Sequence, residues 1–119
     1  MNNKIDLDEI KNNLFIKGKI VSDSMTPLLA VGTEITIEVQ AKDLKRFDII
    51  VFYNDDKLIC HFLWNLNRRI KPIFLQTRNL KNLGQDLPVS YDLYVGKVIS
   101  HKLRIRDIFR IMVNDLLRN

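Results

Sequence analysis

Cysteine is almost missing from this chain of 119 residues: Cys60 stands alone, so no internal disulfide can form. No set of Cys and His residues has the spacing of a zinc site, so no metal and no other cofactor is expected. Long apolar runs are missing too. The longest cover only a handful of residues against the roughly 20 needed to cross a bilayer, and Met1-Asn2-Asn3-Lys4 leads into acidic residues rather than an apolar export signal. There is no internal repeat, low-complexity tract or dense basic block. Nineteen Lys and Arg against fourteen Asp and Glu leave a formal charge of +5, but Phe and Tyr are not interleaved with the cations in any nucleic-acid-binding pattern, so no nucleic-acid partner is expected.

What is present is ordinary globular usage, with 46% hydrophobic and 28% charged residues, enough for one compact domain over residues 1–119. Asp6, with Glu9 three residues on and Ile5 and Ile10 spaced as a hydrophobic staple, predicts a short helix over about Leu7 to Asn13. Phe15 to Val21 reads as a strand entering a loop at Ser22 to Pro27. Ile35 to Val39 alternates with period two. Ile49 to Tyr53 and Leu58 to Trp64, joined by Asn54-Asp55-Asp56-Lys57, form a hairpin. Ile70 to Gln76 and Leu93 to Ile99 are two further strands, separated by a polar excursion from Thr77 to Pro88. From about Arg104 the period changes. Ile105, Ile108, Phe109, Met112, Val113 and Leu116 share one arc at 100° per residue, with Arg104, Asp107, Arg110, Asn114 and Arg118 largely opposite. This amphipathic C-terminal helix is expected to cap an open face or edge of the sheet; a basic membrane-surface helix and a dimer contact are the alternatives. The fold class is mainly β, with a short N-terminal helix and this C-terminal one.

Candidate chemistry is sparse. His61 interrupts an apolar strand, where desolvation favours the neutral imidazole, so it is either a general base or a core histidine satisfied by a backbone carbonyl. His101, beside Ser100 and Lys102, reads as solvated. Cys60 and His61 are adjacent on a strand and point to opposite faces, which excludes them as a nucleophilic pair. Ser24 lies in a loop stiffened by Pro27, and a loop serine needs a base before it means more than a turn.

These residues carry a resemblance. Ser24-Met25 followed by Pro27-Leu28-Leu29, then Gly32 and the β-rich stretch to Val39, is similar to the nucleophile segment of the S24/S26 serine peptidases, the group of signal peptidase I and the LexA-type self-cleaving repressors. Leu44 to Phe52 resembles the Gly-Asp-Ile-Val-x-Phe strand of that group, and Leu58-Ile59-Cys60-His61 the segment that delivers the base. Asp86-Leu87-Pro88-Val89 and Tyr94-Val95-Gly96-Lys97-Val98 are like its closing elements. The order and spacing agree over roughly Lys17 to Ser100.

The resemblance implies a LexA/signal-peptidase-like β fold and a histidine-type enzyme. Ser24 would be the acyl-forming nucleophile and His61 the base. Ser22 would be an oxyanion donor, with Met25 beside it on the substrate side. Asp86 is the implied orienting carboxylate, with the Asn79 amide as the alternative. The pattern is eroded where the family's glycine is replaced by Ser22 or displaced to Gly18. It is eroded again at Gly32-Thr33 and Phe47-Asp48, at Phe62 in place of the usual arginine, and at Arg78-Asn79. These departures leave two readings: a serine endopeptidase that processes a leader or matures a partner protein, or an inactive relative that binds peptides. The implied partner is a peptide held in extended form. The implied setting is the bacterial cytoplasm, with peripheral contact at the inner membrane surface through the C-terminal helix as the alternative. The oligomeric state has no signature in the sequence.

Overall fold

A computed structural model describes residues 6–118. The elements run α1 (Leu7–Lys11), β1 (Phe15–Lys19), β2 (Glu34–Val39), β3 (Ile49–Asn54), β4 (Lys57–Leu66), β5 (Phe74–Arg78), β6 (Val89–Ser90), a single 3-10 turn (Tyr91–Leu93), β7 (Tyr94–Val98) and α2 (Ile105–Arg118). The strands form one seven-stranded sheet in the order β1-β2-β7-β3-β4-β5-β6, and every pairing is antiparallel. The chain is therefore mainly β. No helix among the described residues is long and apolar enough to cross a membrane.

The central strands are buried on both faces, and the period of two divides their side chains between two cores. Ile49 and Val51 of β3, Phe62 of β4 and Val95 of β7 join Ile20, Met25, Leu29, Ile35 and Ile37 on one side. Ile50, Phe52, Leu63 and Tyr94 join Leu75 and Val89 on the other. β3 and β4 are the expected hairpin, tightened to a two-residue turn: Asp55 and Asp56 both take positive φ, 49° and 62°, the twist that matches two antiparallel strands.

Gly96 is required by a close approach. It pairs with Val39 on β2 and Val51 on β3, and a Cβ there would lie 2.3 Å from the Glu38 carbonyl oxygen and 2.7 Å from Ile37 Cγ2.

The N-terminal helix forms as its cap predicts, with the Asp6 carboxylate accepting from Glu9 N–H at 3.2 Å, but it ends at Lys11. The staple partner Ile5 lies outside the described residues. The strand expected over Ile70 to Gln76 is displaced to Phe74–Arg78. Pro72 offers no N–H to a ladder, so pairing starts only beyond it.

α2 forms where expected but faces the other way from the expected cap. Ile111 and Asp107 are its buried residues, while Ile105, Phe109, Met112, Val113 and Leu116 are exposed. The reason lies in its polar anchors. Asp107 accepts from the backbone N–H of Arg104 at 2.9 Å and from its guanidinium at 2.8 and 3.0 Å, which closes the first turn. Arg78 reaches Asp115 at 3.2 Å while its guanidinium lies 4.0 Å over the Trp64 ring. Arg110 donates to the carbonyls of Leu80 and Lys81, both at 2.9 Å. Charged groups that read as the solvent face are thus the docking face.

Two outcomes follow from these contacts. Gly96→Ala is expected to cost about 1–3 kcal/mol through overpacking, read as a lower urea midpoint with unchanged m-value. The Arg104 hydrogen bonds hold the Asp107 carboxyl below its ordinary 3.8, so the unfolded chain takes up that proton first on acidification. The stabilisation from Asp107 is complete above about 3.8 and is lost as pH falls through the folded value. Asp107→Asn should be less stable at neutral pH, and its stability should fall less steeply below pH 4 in urea titrations.

Candidate active site

β4 is paired with β3 from Lys57 to Phe62, but its pairing with β5 begins only at Phe62, opposite Arg78. On that side the edge from Lys57 to His61 has no strand partner among the described residues. β1 is the terminal strand and also has one edge without a strand partner among the described residues. Lys57 to His61 and Gly18 to Ser22 line the same cleft, with Ile35, Ile37 and Val51 as its apolar floor and Ser24 and Met25 alongside. Since β1 and β4 are separated in the sheet by β2, β7 and β3, the sheet curls to bring their free edges together. The cleft has a volume of about 750 Å³.

His61 stands at the point where strand pairing changes hands. Its Nδ1 lies 2.5 Å from Asp86 Oδ2, and the Thr77 hydroxyl donates to the same oxygen at 2.6 Å. Asp86 is held there by its backbone: its N–H donates to the Thr77 carbonyl at 2.9 Å, and Gln85 bridges Arg78. A carboxylate oxygen accepts, so the contact assigns the donated proton to Nδ1, and in the neutral imidazole that tautomer leaves the lone pair on Nε2. That tautomer is the one a general base needs. The imidazole is 13% and the carboxylate 26% exposed, and the ring meets Phe52 edge-on at 6.1 Å between centroids.

The loop after β1 makes a helical turn, with Leu29 N–H donating to the Met25 carbonyl at 2.8 Å and Thr26 N–H to Asp23 at 3.1 Å. Met25 and Leu29 anchor it in the core. The carbonyl of Ser24 accepts from two consecutive backbone N–H groups, Leu80 at 2.9 Å and Lys81 at 3.0 Å. Lys81 also pairs with Asp23 at 2.6 Å. The Ser24 hydroxyl bonds to Ser22 Oγ at 3.0 Å rather than to the imidazole, with which it shares the cleft.

The structure brings Ser22, Ser24, Met25 and His61 to one cleft and joins Asp86 to His61. It removes Asn79 as the orienting group. Its Oδ1 accepts from Asn82 N–H at 3.0 Å and its amide faces the Gly84 carbonyl, so it closes a turn. His101 is half-buried rather than solvated; it bonds to Ser100 and lines a different cleft.

Thr77 and Arg110 escape sequence reasoning. A threonine at a strand end and an arginine on a helix have no spacing signature, and only the fold shows that one steadies Asp86 and the other the Leu80-Lys81 segment.

Cys60 packs against the main core, and burial pushes its thiol up to about 12. Iodoacetamide at neutral pH should therefore leave the folded protein unmodified and label it fully in urea, by intact mass. Comparisons of the chain with models of protein families, with curated proteins and with solved structures find no match.

Proposed function

We propose that the chain is a serine endopeptidase of the signal peptidase and LexA type, with the β fold of that group, Ser24 as nucleophile, His61 as base and Asp86 as the residue that orients the base. The observation that carries this reading is the Thr77-Asp86-His61 hydrogen-bond chain together with one cleft that both His61 and Ser24 line. Two backbone features support the register of the resemblance. Gly32 and Phe47, at the family's two glycine turns, both take positive φ, 92° and 76°, and Gly96 falls where only glycine fits.

A substrate in extended form adds its backbone to a free edge of the cleft, with side chains on the apolar floor. Ser24 Oγ attacks the scissile carbonyl carbon as His61 Nε2 takes the hydroxyl proton. Asp86 stabilises the resulting imidazolium. The tetrahedral intermediate collapses with cleavage of the C–N bond, and Nε2 returns the proton to the leaving amine. Water, deprotonated by the same nitrogen, then attacks the acyl carbon; the ester bond to Ser24 Oγ breaks and Nε2 returns the proton to that oxygen. The Ser22–Ser24 bond and the attack exclude each other: turning Ser24 Oγ toward the imidazole releases the Ser22 hydroxyl, which then donates to the developing oxyanion.

One observation favours the second reading, a peptide-binding module without activity: Ser24 Oγ rests on Ser22 and not on His61. A fluorophosphonate probe separates the two. The peptidase reading expects modification of Ser24, mapped by peptide mass, with none in Ser24→Ala or His61→Ala. In Asp86→Asn labelling should slow by about 10²–10⁴-fold, as when a triad loses the carboxylate that fixes its tautomer. An unlabelled wild type whose peptide binding survives Ser24→Ala would establish the module instead.

A further inference from the structure

The outward face of α2 has no counterpart in the proposed chemistry. Ile105 is 88%, Phe109 70% and Leu116 73% exposed, and Met112 and Leu117 extend the stripe. A contiguous apolar face on a monomer marks a surface that is covered in use. The helix cannot roll this face inward, because Arg110 and Asp115 fasten it to Leu80, Lys81 and Arg78 and Ile111 is packed in the core.

Charge identifies the occupant. Both carboxylates of α2 are turned inward and paired, Asp107 with Arg104 and Asp115 with Arg78. The exposed charge of the helix that borders the stripe is cationic, Arg106, and the exposed Lys102 stands just before the helix. In the self-docking of two such helices, cationic flanks would meet with no exposed carboxylate of α2 to answer them. A negatively charged lipid surface answers both features at once, taking the apolar stripe among its acyl chains and the flanking cations at its headgroups.

We propose that α2 is an interfacial anchor that lies flat on an anionic membrane, with Ile105, Phe109, Met112 and Leu116 inserted and Arg106 and Lys102 at the headgroup level. The element, fourteen residues long, is about 21 Å at 1.5 Å per residue, which suits the interface rather than a crossing. This inference is independent of the peptidase reading, since it uses none of the cleft residues.

Flotation of the full chain with vesicles tests it. Binding to vesicles of phosphatidylcholine and phosphatidylglycerol should be about tenfold or more stronger than to phosphatidylcholine alone and should weaken as salt rises. Phe109→Ser combined with Leu116→Ser should abolish binding while circular dichroism and the urea midpoint stay near wild type, because both side chains are exposed. Arg106→Glu, which keeps the apolar stripe, should weaken binding to anionic vesicles and leave any residual binding to neutral ones unchanged. Three results would overturn the proposal: absence of wild-type binding to anionic vesicles, equal binding by the double variant, or a lipid-free dimer in sedimentation that the double variant dissociates. The last would make a second copy of the chain the occupant.

Discussion

Two backbone N–H groups, from Leu80 and Lys81, converge on the carbonyl of Ser24, and the candidate site is organised around that tie. It fastens the loop after β1 to the segment after β5, two regions that share no strand pairing. The same segment continues through the Asn79 turn to Gln85 and Asp86, so the residue that fixes the imidazole and the residue that holds the serine backbone belong to one stretch of chain. α2 braces it from behind, with Arg110 occupying the carbonyls of the two residues whose N–H groups reach Ser24. A peptide unit polarised at its oxygen by a guanidinium is a stronger donor at its neighbouring nitrogen. The helix therefore contributes to the position of a side chain that it never touches.

The sheet supplies the other half of the arrangement. Its central strands β3 and β7 are paired on both sides and send apolar side chains to both cores, while the His61 imidazole of the candidate site stands where pairing with β5 stops. One residue further along β4, Phe62 is locked between β3 and β5; at His61 the β5 side is open, and the side chain of Asp86 takes the place of a strand. A histidine in the middle of an apolar run, paired with Ile50 on β3 alone, thus has its side-chain polar demand met by Asp86.

Much of this was legible from the residues. The alternation in Ile35 to Val39, the turn residues between Tyr53 and Leu58, and the Asp6 cap each express a local preference, and local preferences survive folding when nothing opposes them. His61 and Asp86 were legible through the resemblance, and their contact joins residues on either side of the β5 excursion. Where the reading failed, the cause was tertiary. Pro72 moved the start of β5 because ladder pairing, not β propensity, sets a strand's limits. α2 shows the deeper limit. Its periodicity gave the helix and the arc, but inside and outside were decided by Arg78, Leu80 and Lys81, polar partners far away in sequence. Thr77 was invisible for the same reason, since its role exists only beside Asp86.

The unpaired margins of β1 and β4 have a further consequence for the protein in solution. Backbone groups that the proposed function reserves for a substrate peptide are equally open to a neighbouring molecule of the same kind, and such margins are where sheet proteins begin to aggregate. Lys17 and Lys19 on one margin and Lys57 on the other are exposed, and a row of cations resists stacking against its own image. Neutralising them would trade colloidal safety for stickiness along both open rims.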